Sequence, residues 1–147
     1  MGASILYRER LLPSPVTSLV LVAVVAMFAI AAGAPLGAPA GWLTFAILGA
    51  VALSMIWWTT PQITVTDDVL RVGNATLPRT SIAAVTPLDA AQARIARGPG
   101  ADARTYVALR TWATQRAVLV QVDDEADPHP AWLFSSRHPD AVARALQ

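Results

Sequence analysis

The sequence contains no cysteine and no lysine, and its only histidines are His129 and His138. Without cysteine there can be no disulfide framework, no thiolate metal site and no thiol nucleophile, and the redox compartment is left open. All eleven basic residues are arginine. With the abundance of alanine, this reads as coding bias and not as a functional signature. Charged residues make up only 14% of the chain. Once Arg8, Glu9 and Arg10 are set aside, nine arginines face nine acids in the part after Pro61. A neutral domain lacks the basic footprint that non-specific nucleic-acid binding needs, so no nucleic acid is expected as a partner.

Catalytic and metal constellations are also missing. His129 and His138, with Asp127 or Asp140, match no ligand spacing and read as loop histidines beside prolines. Asp123, Asp124, Glu125 and Asp127 have the charge of a calcium loop but neither its D-x-D-x-D-G order nor its distal glutamate. They read as a solvated loop. Ser135 and Ser136 stand outside any GxSxG setting, and no P-loop or GxGxxG occurs. GPGAD, at 98–102, lacks the preceding strand and following helix that phosphate cradling requires. The expectation is a protein without catalytic residues, metal or cofactor.

What the chain has is apolar length. Mean hydropathy is +0.46. Val16–Ala34 and Gly41–Thr60 are nineteen and twenty residues without a charge. The first span covers about 28 Å as a helix, close to the ~30 Å hydrocarbon core. Helix is the low-energy form there, because unpaired backbone groups in lipid cost several kcal/mol each. Residues 16–60 therefore read as a transmembrane helical hairpin, preceded by a cytoplasmic juxtamembrane segment at 1–15. A cytoplasmic β-rich domain follows at 61–147. Pro13 and Pro15 suit a helix start, and Pro61 ends the second span. Trp42, Trp57 and Trp58 stand at the span ends as interfacial indoles do.

Arg8 and Arg10 precede the first span, Arg71 and Arg79 follow the second, and the connecting turn is uncharged. The positive-inside rule then places both ends in the cytoplasm. A cleaved signal peptide is the competing reading; the length of the first span and the presence of a second argue against it. The uncharged spans argue against an ion path or proton relay. Gly33, Gly37 and Gly41 sit among Pro35 and Pro39 and read as turn chemistry. Ala46, Ala50 and Ser54 form the expected packing stripe of the second span, for the first span or for a partner helix. Ahead of the spans, Ile5, Leu6, Tyr7, Leu11 and Leu12 interleave with Arg8, Glu9 and Arg10. The segment reads either as lying at headgroup level, with Tyr7, Arg8 and Arg10 at the interface, or as a plain topogenic flank.

After Pro61 the period changes to two. Ile63 and Val65 alternate with Thr64 and Thr66; Asp67–Asp68 turn the chain into Leu70 and Val72; Gly73–Asn74 turn it again. A short strand at 75–77 and another at 81–85 follow. Asp89 caps a short alanine-rich helix to Arg97. Alternating runs at 106–110 and 117–122, a last strand at 132–135 and a terminal helix from Pro139 complete the order. This predicts one curved antiparallel sheet, barrel-like, with a helix plugging an open end. The order is similar to the pleckstrin-homology-like barrels attached to membrane spans in many bacterial proteins; that likeness concerns the fold alone.

YRERLLPSP (7–15), the two spans, TVTDDVLRVG (64–73), GPGADARTYVALRTW (98–112) and DPHPAWLFSSRHP (127–139) together resemble an uncharacterised actinobacterial family of small two-span membrane proteins. The resemblance covers nearly the whole chain, and Thr111 stands where members often carry proline. It implies a bacterial inner-membrane location and supplies no activity, cofactor or catalytic residue. The candidate interaction surface is Arg110, Trp112, Arg116, Trp132 and Arg137, by the enrichment of arginine and aromatics at recognition hot spots. The opposing reading puts Trp112 and Trp132 in the barrel core. The expected function is a membrane-anchored, non-enzymatic accessory protein that contacts protein or lipid, with a membrane-protein partner or a second copy in addition to the bilayer. The alternative is a subunit of a membrane enzyme or transport complex whose site is shared with its partner.

Overall fold

The computed structural model describes residues 4–99 and 101–147. The chain divides into two compact units, residues 12–60 and residues 1–11 with 61–147.

The first unit is a pair of helices, α1 (Pro15–Leu36) and α2 (Ala38–Thr59). Each spans about 33 Å at 1.5 Å per residue. The Ser14 hydroxyl accepts the Thr17 amide at 3.2 Å and caps α1, with Pro15 in the first turn where its missing N–H costs nothing. Both helices are long and apolar enough to cross a membrane. Their side chains are largely exposed, from Leu19 and Phe28 on α1 to Leu43 and Leu53 on α2.

The link between them is shorter than the expected 34–40 turn. Pro39 falls in the first turn of α2, where its missing N–H costs nothing, and Pro35 lies in the last turn of α1, where it withholds one intrahelical N–H without stopping the helix. Only Gly37, at φ 91°, breaks the path. Gly33 and Gly41 are not turn residues, which corrects the reading above. They face each other across the helix pair. A Cβ on Gly41 would come within 3.0 Å of the Ala29 carbonyl oxygen and 3.2 Å of the Gly33 Cα. Bare backbones meet there because neither residue carries a side chain. The Ala46, Ala50, Ser54 stripe is exposed, so it does not pack against α1; the less exposed positions of α2 include Gly41, Thr44, Phe45, Leu48, Ala52 and Ile56.

The second unit holds two four-stranded sheets. Sheet 1 is β1 (Ile5–Arg10), β2 (Gln62–Thr66), β3 (Val69–Val72) and β4 (Ala75–Pro78), an antiparallel meander in that order. Ile63, Val65, Leu70, Val72 and Leu77 point into the core, while Thr64, Arg71 and Thr76 take the outer face. Thr66 closes the β2–β3 turn through its hydroxyl to Val69 N–H (3.1 Å), and Gly73 supplies φ 60° for the next. The segment at 5–10 is therefore neither a free interfacial segment nor a plain flank. It is a strand in register with β2, Arg8 opposite Thr64 and Arg10 opposite Gln62.

Sheet 2 is β5 (Ile82–Leu88), β7 (Ala117–Val122), β8 (Ala131–Ser135) and β6 (Tyr106–Ala108) in that spatial order, with β6 parallel to β8. The expected single antiparallel barrel is corrected to two sheets that do not close. β4 ends on Pro78, which has no N–H to continue a ladder, and Arg79–Ser81 turn the chain before β5. β5 then pairs with β7. The expected strand at 106–110 stops at Ala108 because the Arg110 amide donates to the Ser135 hydroxyl (2.7 Å).

β8 is buried on both faces. Trp132 and Phe134 join the main core with the inward residues of sheet 1, Val118, Val120 and Leu11. Leu133 joins a second cluster with Leu88, Ala93 and Ala117, covered by α3 (Ala90–Ala96). Asp89 and Gln92 form a reciprocal capping box on α3. α4 (Pro139–Leu146) sends Val142 and Leu146 into the main core.

Candidate functional site

One end of sheet 2 gathers most of the chemically distinctive side chains. The ends of β5, β6 and β8 and the starts of β7, α3 and α4 meet there, as the pairings of Leu88 and Ser135 with Ala117 require. The loop after β6 is tied to this end twice, by the Arg110 amide on Ser135 and by the Ser136 amide on the Arg116 carbonyl (3.2 Å). A cleft of about 280 Å³ opens here, lined by Pro87, Leu88, Asp89, Gln92, Arg116, Pro139 and Asp140.

Of the five surface candidates, the fold brings Arg110, Trp112, Arg116 and Arg137 to this end. Arg116 is exposed and Arg110 half-buried, with its guanidinium donating to the Leu109 carbonyl (3.2 Å). Trp112 is half-buried and packs on the main core. Trp132 is not with them. It is 4% exposed at the start of β8, its ring 4.7 Å from that of Tyr106, and so is a core residue. Thr111 is the second residue of a turn closed by Ala113 N–H on the Arg110 carbonyl (2.9 Å), a position turns readily give to proline.

The residue that sequence reasoning passed over is Glu9. On β1 it alternates with Tyr7 and Leu11, and it points inward at 8% exposure. Its carboxylate accepts three donors: the Ser136 hydroxyl (2.6 Å), the Arg137 amide (2.8 Å) and the Tyr7 hydroxyl (3.0 Å). The Ser136 oxygen in turn accepts the His138 amide (3.1 Å) just ahead of α4. Burial, reinforced by the neighbouring Glu9 charge and hydrogen bond, pushes the Tyr7 phenol up to about 12. Tyr7 thus faces a buried carboxylate. The i, i+2, i+4 alternation of Tyr7, Glu9 and Leu11 was the signal that could have revealed it. Chemically the node is an anchor: the carboxylate is held by three donors, and Ser136, at 0% exposure, offers no path for a substrate.

The remaining candidates are dispersed. Arg8 is exposed and donates to Gln62 (3.0 Å); Arg10 lies two residues on, half-buried. Trp42, Trp57 and Trp58 are exposed near the two ends of α2. His129 donates through Nδ1 to the Arg104 carbonyl (2.8 Å), and its amide bonds Asp127 (2.8 Å). In the neighbouring loop, hydrogen bonds from the Arg104 amide and guanidinium lower the Asp102 carboxyl below its usual range. Among the described residues no group of three or more His, Asp or Glu side chains is placed to hold a metal. The expected turn at 98–100 is present at Gly98 and Pro99, and Gly100 lies outside the described residues.

The architecture defines a class of protein in which two long apolar helices are inserted between the first and second strands of a small two-sheet α+β domain. The chain belongs to the family of proteins of unknown function DUF3093, which it matches over residues 6–146. The match runs from β1 to α4 and so takes in both units. No curated protein and no solved structure matches the chain.

Proposed function

We propose that this protein is a membrane-anchored accessory protein of the bacterial inner membrane. α1 and α2 cross the bilayer as a hairpin, and the two-sheet domain stands at the cytoplasmic face to contact protein or lipid. The observation that carries this reading is the β1–β2 ladder. The Leu11 amide donates to the Pro61 carbonyl (3.2 Å) and Arg10 pairs with Gln62, so the chain entering α1 and the chain leaving α2 belong to one sheet. A folded sheet cannot straddle a bilayer, so the intervening helices must go out and return. No ionisable side chain occurs from Leu11 to Thr66, a run that contains both helices. Trp42 and Trp57 are separated by about 23 Å along α2, a spacing suited to two interfaces. Arg8, Arg10, Arg71 and Arg79 flank the helices on one side, which supports the cytoplasmic orientation.

The domain is pleckstrin-homology-like in this reading, with two sheets sharing a core that a terminal helix completes. It acts by contact and not by turnover. The end of sheet 2 that carries Arg110, Trp112, Arg116 and Arg137 is its protein-facing surface, Trp132 having been withdrawn to the core. The test is purification of the tagged chain from gently solubilised membranes. A stoichiometric protein or a specific lipid that co-purifies, and that is lost in Arg116→Ala, supports the reading. A monodisperse chain with neither overturns it.

A further inference from the structure

We infer that the outer face of sheet 1 is a contact surface for anionic phospholipid headgroups. The inference rests on the anchor reading and names the partner of a different surface from the end of sheet 2.

Cross-strand register lays this face out in rows. The row next to the helices in the chain holds Arg10 opposite Gln62. The next holds Arg8, Thr64, Arg71 and Thr76 side by side across all four strands. The row beyond holds Ile5, Thr66, Val69 and Pro78. Arg8 and Arg71 are two strand spacings apart, about 10 Å. The sole carboxylate on these four strands, Glu9, is turned into the core. The nearest acids along these strands, Asp67 and Asp68, occupy the β2–β3 turn at the opposite end from the chain's entry into α1. Arg8 and Arg71 are exposed, Arg8 bonds a neutral amide, and Arg71 has no hydrogen bond or ion pair among the described residues. The charges on this face are therefore all positive, with threonine and glutamine hydroxyl and amide groups between the guanidiniums. Exposed Leu6 and Leu12 adjoin it in the chain.

Covalent distance makes the occupant a membrane. Only Leu11–Ser14 separate Arg10 from the start of α1, and Thr60–Pro61 separate α2 from β2. Four extended residues reach at most about 14 Å. Guanidiniums held so near a bilayer meet phosphates at high local concentration, and bidentate Arg–phosphate pairing favours anionic lipid over zwitterionic. Each arginine near an anionic surface shifts the docked-to-undocked ratio by about fivefold.

The absence of native cysteine makes the test direct. A fluorophore on Thr76→Cys reports the Arg8–Arg71 row, and one on Val107→Cys, exposed on β6, reports the other sheet. The full chain is reconstituted in phosphatidylcholine vesicles carrying a headgroup spin-label quencher, with or without phosphatidylglycerol. The expected result is quenching at Thr76→Cys that rises with phosphatidylglycerol, falls in high salt and falls in Arg8→Gln/Arg71→Gln, with Val107→Cys unchanged. Quenching independent of lipid charge, or equal at both labels, overturns the inference while the chain stays with the vesicles after carbonate washing. Release by carbonate overturns the anchor reading and this inference with it.

Discussion

Truncating Glu9 should unfasten β1 from the rest of the domain. The carboxylate is the common acceptor of the Ser136 hydroxyl, the Arg137 amide and the Tyr7 hydroxyl. Glu9→Ala leaves at least the first two without an acceptor in a buried site. Each such group costs about 1–3 kcal/mol, giving a loss of about 2–6 kcal/mol for the two. That is a large share of the 5–15 kcal/mol typical of domain stability. Glu9→Gln is milder: its carbonyl still accepts the Arg137 amide, and its NH₂ can donate to hydroxyl oxygens that rotate. The loss is then the charge assistance alone, about 1 kcal/mol. Hydrogen exchange followed by mass spectrometry on the detergent-solubilised chain reads this locally. In Glu9→Ala the Ile5–Arg10 amides should exchange at least about thirtyfold faster, and those of Pro139–Leu146 should accelerate with them. Unchanged protection of β1 in Glu9→Ala, or equal damage from Glu9→Gln, would refute the reasoning.

Two further perturbations follow from the geometry. Gly41→Val puts a branched side chain where a Cβ already meets the Ala29 carbonyl at 3.0 Å, so α1 and α2 must separate at their tip. The expected loss is about 1–3 kcal/mol, read as a lower thermal midpoint of the helical signal in micelles, with Gly49→Val, which has open space, as the control. Tyr7 gives a pH dependence: its folded pKa of about 12 lies above the ordinary value of 10, so its contribution is complete below pH 10 and is lost as pH rises through about 12. Discounted for the partial exposure of the ring, that loss is about 1 kcal/mol. Tyr7→Phe should flatten this alkaline decline in denaturant midpoint; an identical decline in both proteins would show that ionisation of Tyr7 does not cause it.

Local pattern was enough for β2 to β4, where Ile63, Val65, Leu70 and Val72 alternate with polar residues between turns that Asp67, Asp68 and Gly73 mark. It was enough for α3 as well, where Asp89 and Gln92 supply the cap. β1 was hidden because its partner lies past the whole helix pair and because its inward row mixes Tyr7, Glu9 and Leu11. Their alternation marks the inward row, but nothing local names the partners of the Glu9 carboxylate, Ser136 and Arg137, 127 and 128 residues away. The parallel edge strand β6 is three residues long, too short to carry a pattern. At Gly33 and Gly41 the spacing was visible, but the interleaved prolines suggested a turn. Pro39 opens α2, where a missing N–H costs nothing, and Pro35 withholds a single bond from the last turn of α1, so the helices continued and the glycines met across them. For the candidate surface, the arginines of the loops after β6 and β8 converged because Ser135 and Ser136 tie those loops together, a tertiary fact. Trp132 fell on the inward side of β8.

The central claim is that α1 and α2 form a hairpin across the membrane with the β domain on the cytoplasmic side, and single-cysteine labelling tests it most directly. The chain has no cysteine of its own, Leu36 is 74% exposed beside the Gly37 link, and Ile95 is 77% exposed on α3. With a membrane-impermeant maleimide on spheroplasts, Leu36→Cys should label at once and Ile95→Cys only after lysis. Labelling of Ile95→Cys on intact spheroplasts, or protection of both positions, would contradict the account.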